Sequence, residues 1–307
     1  MAELKLNQEI LQEFERGLNP QNLQISTIPC QVLGYGEIST VLQINEEQTI
    51  AAKRMPLFST AAGAEKYAEN YQNYCDRLRA AGLKVPEDKT ISVRGHGDLT
   101  VLYILQKQLP PERFCHKLIH SEPETFLNEM VLRIVQDIEK IWTYNQNHQQ
   151  KIELAIDGQL SNWVLLESGE LLFIDTSTPL MHENGIEVLD PELLLKSAPS
   201  FLRWLIRWQF LDDVMSRYYD PHLVYTDLIA NLFKEQCPEL VDPWIKAINS
   251  ATTGRMISLS RNKIESYYKE DKLIWSLFLA LRRIDRFIKM KLMRQRYEFV
   301  LPGKIKR

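Results

Sequence analysis

The chain has 307 residues, 45% of them hydrophobic and 25% charged, with 37 Lys+Arg against 40 Asp+Glu. This composition excludes extended disorder and collagen-like or low-complexity classes, and the length leaves room for two subdomains. A formal net charge of −3 gives no overall basis for holding nucleic acid or an anionic membrane.

The spacing of Ile10, Leu11, Phe14 and Leu18 predicts an N-terminal helix over about 7–18, stopped at Gly17 to Pro20. Short β-branched and apolar runs follow at Gln31–Leu33, Thr40–Ile44 and Thr49–Lys53, separated by turn residues. A helix over Ala61–Ala81 is closed by Gly82, and two more strands, Ile91–Val93 and Leu99–Leu105, flank Gly95-His96-Gly97-Asp98. The result is an antiparallel sheet of about five strands with one inserted helix. Beyond Leu109-Pro110-Pro111 the pattern turns helical. Ser121-x-x-Glu124 reads as a capping box for a helix to about Tyr144, with Phe126, Met130, Ile134, Ile138 and Ile141 on its apolar face. A hairpin of Trp163–Leu166 and Leu171–Ile174 turns at Glu167-Ser168-Gly169-Glu170. Everything after Pro191 reads as helix, including Ser200–Tyr218, Tyr225–Phe233 and Leu273–Tyr297.

Four widely spaced cysteines (Cys30, Cys75, Cys115, Cys237) form no CxxC pair and read as free thiols. The chain begins with polar residues rather than a secretory signal, and its longest uncharged apolar stretch, Leu273–Leu281, is too short for a transmembrane segment. A cytoplasmic protein is the expectation.

Five features carry chemistry. Gly34 and Gly36 occupy a strand–turn–strand, where glycines let backbone N–H groups approach an anion, though a plain hairpin needs the same residues. Lys53 stands among small apolar residues on the next strand, either facing water or held by a partner. Glu65 and Glu69 lie one helical turn apart and are candidates for that partner, unless both are simply solvated. Asp157 and Asn162 are five apart in a loop between a long helix and a strand, and Asp175 ends the apolar run Leu172-Phe173-Ile174. Such a set of hard oxygen ligands suits a magnesium ion.

The order of these features resembles the protein-kinase-like superfamily, and within it the small-molecule branch of aminoglycoside phosphotransferases, choline kinases and fructosamine kinases. The resemblance covers about residues 30–235. It implies an α+β, bilobal fold: an N-terminal helical extension (1–29), a small antiparallel β-sheet N-lobe plus one helix (30–107), and a larger mainly α-helical C-lobe (108–307). It implies ATP and Mg2+ as cofactors and a hydroxyl of a small molecule as acceptor. Gly34, Gly36 and Ser39 would cover the phosphates. Lys53 would contact the α- and β-phosphates, held by Glu69 or Glu65. Backbone groups of Gln106, Lys107 and Gln108 would meet the purine. Asp157 would be the catalytic base, with Asn162 and Asp175 as metal ligands. The chain departs from the family at Ala155, where His is usual, at Thr176 after Asp175, and in lacking a long activation segment, which argues against a protein substrate. The alternatives are a nucleotide-binding pseudokinase that serves as a scaffold and a nucleotidyl (AMP) transferase on the same fold.

Other features read more plainly. His116 and His120 lack the Glu and third ligand of a zinc helix and fit a solvated face. Arg203, Trp204, Arg207 and Trp208 stripe one helix, as core Trp with surface Arg or as part of an acceptor pocket. His182, Glu183 and Asp190 lie just past Asp175, within reach of an acceptor by position. Between residues 282 and 307 there are ten Lys+Arg and two Asp+Glu, against 27 and 38 in the rest. The acidic bulk argues against nucleic acid. The last helix, with Leu277, Leu281, Ile284, Ile288 and Leu292 on one face, is expected to dock that face on the C-lobe and solvate its basic face; contact with a membrane surface or an acidic partner is the alternative.

Overall fold

The computed structural model describes residues 6–36, 39–45, 47–148, 151–190, 193, 195, 203, 215–255 and 257–301. The expected helix Ser200–Tyr218, with Trp204, Arg207 and Trp208, falls almost wholly outside them. Helix α1 (Gln8–Gly17) starts at Asn7, whose side chain accepts from the Ile10 N–H as an N-cap. Five strands then form one antiparallel sheet: β1 (Cys30–Tyr35), β2 (Thr40–Ile44), β3 (Ile50–Arg54), β4 (Asp88–Arg94) and β5 (Thr100–Lys107), in the order β1-β2-β3-β5-β4. Helix α2 (Ala61–Ala80) is inserted between β3 and β4, capped by Thr60 at one end and followed at the other by Gly82, with φ of 98°.

Alternation along the strands divides the sheet into two faces. Leu42, Ala52, Val101, Tyr103 and Leu105 share a core with Leu11, Phe14 and Leu18 of α1. The N-terminal helix is therefore packed into the sheet layer. On the other face, Leu102 and Ile104 join a larger core that runs through α2 into the second half of the chain.

That larger core is centred on α4 (Glu124–His148), which buries Met130, Ile134, Ile138 and Ile141 as expected, together with Leu127, Val131 and Val135. The capping box does not form. The Ser121 hydroxyl donates back to the Leu118 carbonyl across the preceding single turn α3 (Cys115–Leu118), and the helix opens only at Glu124. After α4 come β6 (Ile152–Leu154), the hairpin β7 (Trp163–Leu165) and β8 (Leu171–Phe173), then β9 (Met181–Glu183) and β10 (Ile186–Glu187). Strands β6, β9 and β10 form a small sheet that is too short and too charged for its alternation to be visible in sequence.

Helices α5 (Pro221–Lys234), α6 (Val241–Ala251) and α7 (Arg261–Phe287) follow. The last expected helix, Leu273–Tyr297, is displaced: α7 begins at Arg261 and passes through a π-helical turn at Ile288–Leu292. At Arg294 the backbone turns left-handed, with φ of 53°, and residues 295–301 continue without helical structure. This tail returns to the N-terminal region, where Gln21 Nε2 donates to the carbonyls of Tyr297 at 2.9 Å and Phe299 at 3.1 Å. No helix among the described residues is long and apolar enough to cross a membrane.

Candidate functional site

Neighbouring residues on a strand point to opposite faces, and β3 uses this at Lys53 and Arg54. Arg54 turns toward α1, where its Nε donates to Glu15 Oε1 at 2.6 Å and its Nη1 to the Glu298 carbonyl at 2.9 Å. Lys53 turns the other way. Its Nζ donates to the Ile174 carbonyl at 2.8 Å and lies 3.8 Å from Asp175 Oδ1, with only 9% of the side chain exposed. Burial lowers the Lys53 pKa, and the Asp175 carboxylate opposes that shift.

The Asp157–Asn162 loop lies beside the same strand end. Asp157 Oδ1 accepts from the Gln159 N–H at 3.1 Å, an Asx turn that fixes the carboxylate. Asn162 Nδ2 donates to the Asp157 carbonyl at 3.2 Å, while the Ile174 N–H donates to the Asn162 carbonyl at 2.9 Å. Loop and strand end are thereby stitched together, and Asp157, Asn162, Asp175 and Lys53 converge. Between Asp157 and α5 there is room only for glycine: a Cβ on Gly158 would lie 2.9 Å from Val224 Cγ1.

Asp157 is half-buried, and the surrounding protein atoms strip water from its carboxyl. That desolvation, with the nearby carboxylates of Asp227 on α5 and Asp175, pushes its pKa up to about 8. Asp227 itself is raised to about 7, by burial and by Asp271. An acid poised near neutral pH can exchange a proton with an alcohol. The oxygens of Asn162 and Asp175 are hard donors, and the Asp175 side chain is 36% exposed. Among the described residues no group of three His, Cys, Asp or Glu side chains could hold a metal by itself. A cation here would need oxygens from a ligand to complete its shell, as magnesium on a phosphate does.

The glutamates do not take part. Both Glu65 and Glu69 are exposed, and Glu69 pairs with Lys66 at 3.7 Å rather than with Lys53. The inward face of α2 carries Tyr67, Tyr71 and Tyr74 instead. Tyr67 donates to the Ser177 carbonyl, Tyr74 to the Ala155 carbonyl at 2.8 Å, and Tyr71 to buried Asp88 on β4. Asp88 also lies 3.9 Å from Arg79 Nη2, and the carboxylate paired with Lys53 is that of Asp175. The residues the sequence reading missed, Tyr71 and Asp88 above all, had one visible signal: tyrosines at 67, 71 and 74 are spaced for a single helix face.

Gln106 is paired on both sides within the sheet, and its side chain reaches Thr176 Oγ1 at 3.4 Å. The Gln108 N–H, expected to meet a purine, is instead donated to the Thr49 carbonyl at 2.8 Å; its side-chain Oε1 is buried with no hydrogen-bond partner. Lys107 is exposed. Gly34 pairs with Val41, which pairs with Lys53, so the glycine hairpin flanks the Lys53 row two strands away. Its turn is held by the Gly36 N–H donating to the Ser39 carbonyl at 3.0 Å.

The sequence pattern of a family of unknown function, DUF6206, matches residues 21–286. The chain belongs to that family. A search of the curated proteins finds no match. The matched span takes in every converging side chain of this DUF6206 site, from Lys53 to Asp227.

His182, within reach of an acceptor by position, is partnered inside the chain: its Nδ1 lies 2.9 Å from Glu153 Oε2, its Nε2 3.5 Å from Glu187 Oε2, and its ring stacks on Tyr219. Glu183 accepts from Asn73. His116 is half-buried rather than solvated, and burial lowers its pKa to about 4.

Proposed function

We propose that this DUF6206 member is an ATP- and magnesium-dependent phosphotransferase acting on a hydroxyl of a small molecule, on a bilobal kinase-like fold divided near residue 107. The observation that carries the reading is the meeting of Lys53 with Asp175 beside the Asp157–Asn162 loop. In a phosphoryl transfer, positioning and charge neutralisation supply most of the rate. Lys53 aligns the triphosphate. Asp157, in its ionised form, which a bound magnesium ion would favour, accepts the acceptor's hydroxyl proton as the new O–P bond forms and the bond to the departing diphosphate breaks. Asn162 and Asp175 would hold magnesium, which neutralises phosphate charge. The unpartnered Gln108 Oε1 suits a donor such as a purine amino group. The four free cysteines and the ATP requirement agree with a cytoplasmic setting.

The test is incubation with ATP labelled at the γ-phosphate or in the adenine, against a panel of alcohol metabolites. Label passing from the γ-phosphate to an acceptor with the wild type, and not with Asp157→Ala or Asp175→Ala, supports the reading; transfer of adenine label to the acceptor identifies an AMP transferase instead. A second reading, a nucleotide-binding scaffold, is favoured by the solvent-facing Glu65 and Glu69. Nucleotide binding with neither label moved would select it.

A further inference from the structure

Helix α7 is amphipathic the wrong way round for its surroundings. Toward its end the polar residues face in: Arg282 and Asp285 are buried, Lys289 Nζ lies 2.8 Å from Asp285, and the Arg282 guanidinium sits over the Phe299 ring of the returning tail. The large apolar residues face out. Leu277 is 56% exposed, Phe287 59% and Leu292 70%, with Leu273 and Ile284 on the same stripe. The stripe extends over about 30 Å of helix. Among the described residues the expected docking of this apolar face does not occur, and an exposed stripe of this size on a folded protein calls for an occupant.

Charge selects the occupant. Lys291 and Arg294 are exposed at the end of the stripe, in a stretch (282–307) of ten Lys+Arg and two Asp+Glu, while the remainder of the chain has 27 and 38. A negative surface would attract this end and repel the body, so the molecule approaches in one orientation. The exposed positions 273, 277, 280, 284 and 287 also have the 4,3,4,3 spacing of a helix–helix seam. A second copy docked there in parallel would bring two strongly cationic segments together, which opposes that pairing. We infer that the outer face of α7 binds the surface of an anionic lipid bilayer, with Leu277, Ile284 and Phe287 entering the headgroup boundary and Lys291 and Arg294 meeting lipid charge. This is interfacial binding rather than spanning. It stands independently of the nucleotide reading.

The test is co-sedimentation of the full chain with vesicles of phosphatidylcholine alone and of phosphatidylcholine with about one-third phosphatidylserine. Binding to the anionic vesicles only is expected, weakening with added salt. Lys291→Gln with Arg294→Gln should weaken it about thirtyfold, and Leu277→Ser with Phe287→Ser should abolish it. Circular dichroism and an unchanged unfolding midpoint would confirm that these surface variants fold. Absence of binding to anionic vesicles, or binding that survives both double variants, would overturn the inference. So would a lipid-free dimer, seen by sedimentation equilibrium, that Leu277→Ser with Phe287→Ser dissociates.

Discussion

Lys53 Nζ lies 3.8 Å from Asp175 Oδ1 and donates a hydrogen bond to the carbonyl of Ile174, 121 positions along the chain. One residue comes from the middle of the five-stranded sheet and the other from the end of the β7–β8 hairpin. The contact joins the two halves of the chain at the cleft. Lys53 is nearly buried and held by the Ile174 carbonyl and Asp175, so its side chain is fixed in position, unlike a flexible surface lysine.

Asp88, buried against Tyr71, should matter more to stability than exposed Glu69. Asp88→Ala strands the Tyr71 hydroxyl and removes a buried carboxylate near Lys53, which should cost roughly 1–3 kcal/mol in urea unfolding. Glu69→Ala and Glu65→Ala remove exposed charges and should change stability by less than about 0.5 kcal/mol. A large effect of Glu69→Ala with none from Asp88→Ala would reverse the assignment.

The pH dependence of stability should report Asp157. In the unfolded chain this carboxyl titrates near 4; folded, it is raised to about 8. Between those values the folded state keeps a proton that the unfolded state releases. The stabilisation is therefore complete below about pH 4 and is lost as pH rises toward 8. Melting curves from about pH 5 to about pH 8 should show a steeper loss for the wild type than for Asp157→Asn. Parallel curves would contradict the raised pKa.

Glu15, Arg54, Tyr103 and Glu298 form a buried network that ties α1 and the C-terminal tail to the sheet. Glu15→Ala leaves the Arg54 charge buried without its main partner and should cost about 3–5 kcal/mol. Glu15→Leu combined with Arg54→Met removes both charges and should recover much of that loss. Equal destabilisation by the single and double variants, in denaturant titrations, would rule out the charge as the cause.

Gly158 is needed for close approach rather than for an unusual turn. Its added methyl would meet Val224 Cγ1 at 2.9 Å and the Val224 carbonyl at 3.3 Å, so Gly158→Ala must push the Asp157 loop away from α5. An expected loss of about 1–3 kcal/mol in thermal unfolding follows from overpacking.

Periodicity made the sheet and the α2 and α4 helices legible, because each buries one continuous face. It located Lys53, Asp157, Asn162 and Asp175 through residue type and order. It failed at β6, β9 and β10, whose few residues carry too little alternation to register. It also failed at Glu69, because carboxylates at 65 and 69 look alike in sequence whether a helix turns them inward or outward. The tyrosine face at 67, 71 and 74 was the feature that set the rotation of α2. For α7 the stripe was visible, but its direction was not: sequence supplies a face, and only the neighbours decide whether it is covered.

The most direct test of the central claim is calorimetric titration of ATP, with and without magnesium, into the wild type and into Lys53→Ala and Asp175→Ala. The cleft account predicts binding by the wild type that magnesium strengthens, at least tenfold weaker binding in Lys53→Ala, and loss of the magnesium effect in Asp175→Ala, each charge being worth about 1.4 kcal/mol or more. No heat of binding at millimolar ATP, or equal binding by all three proteins, would contradict it.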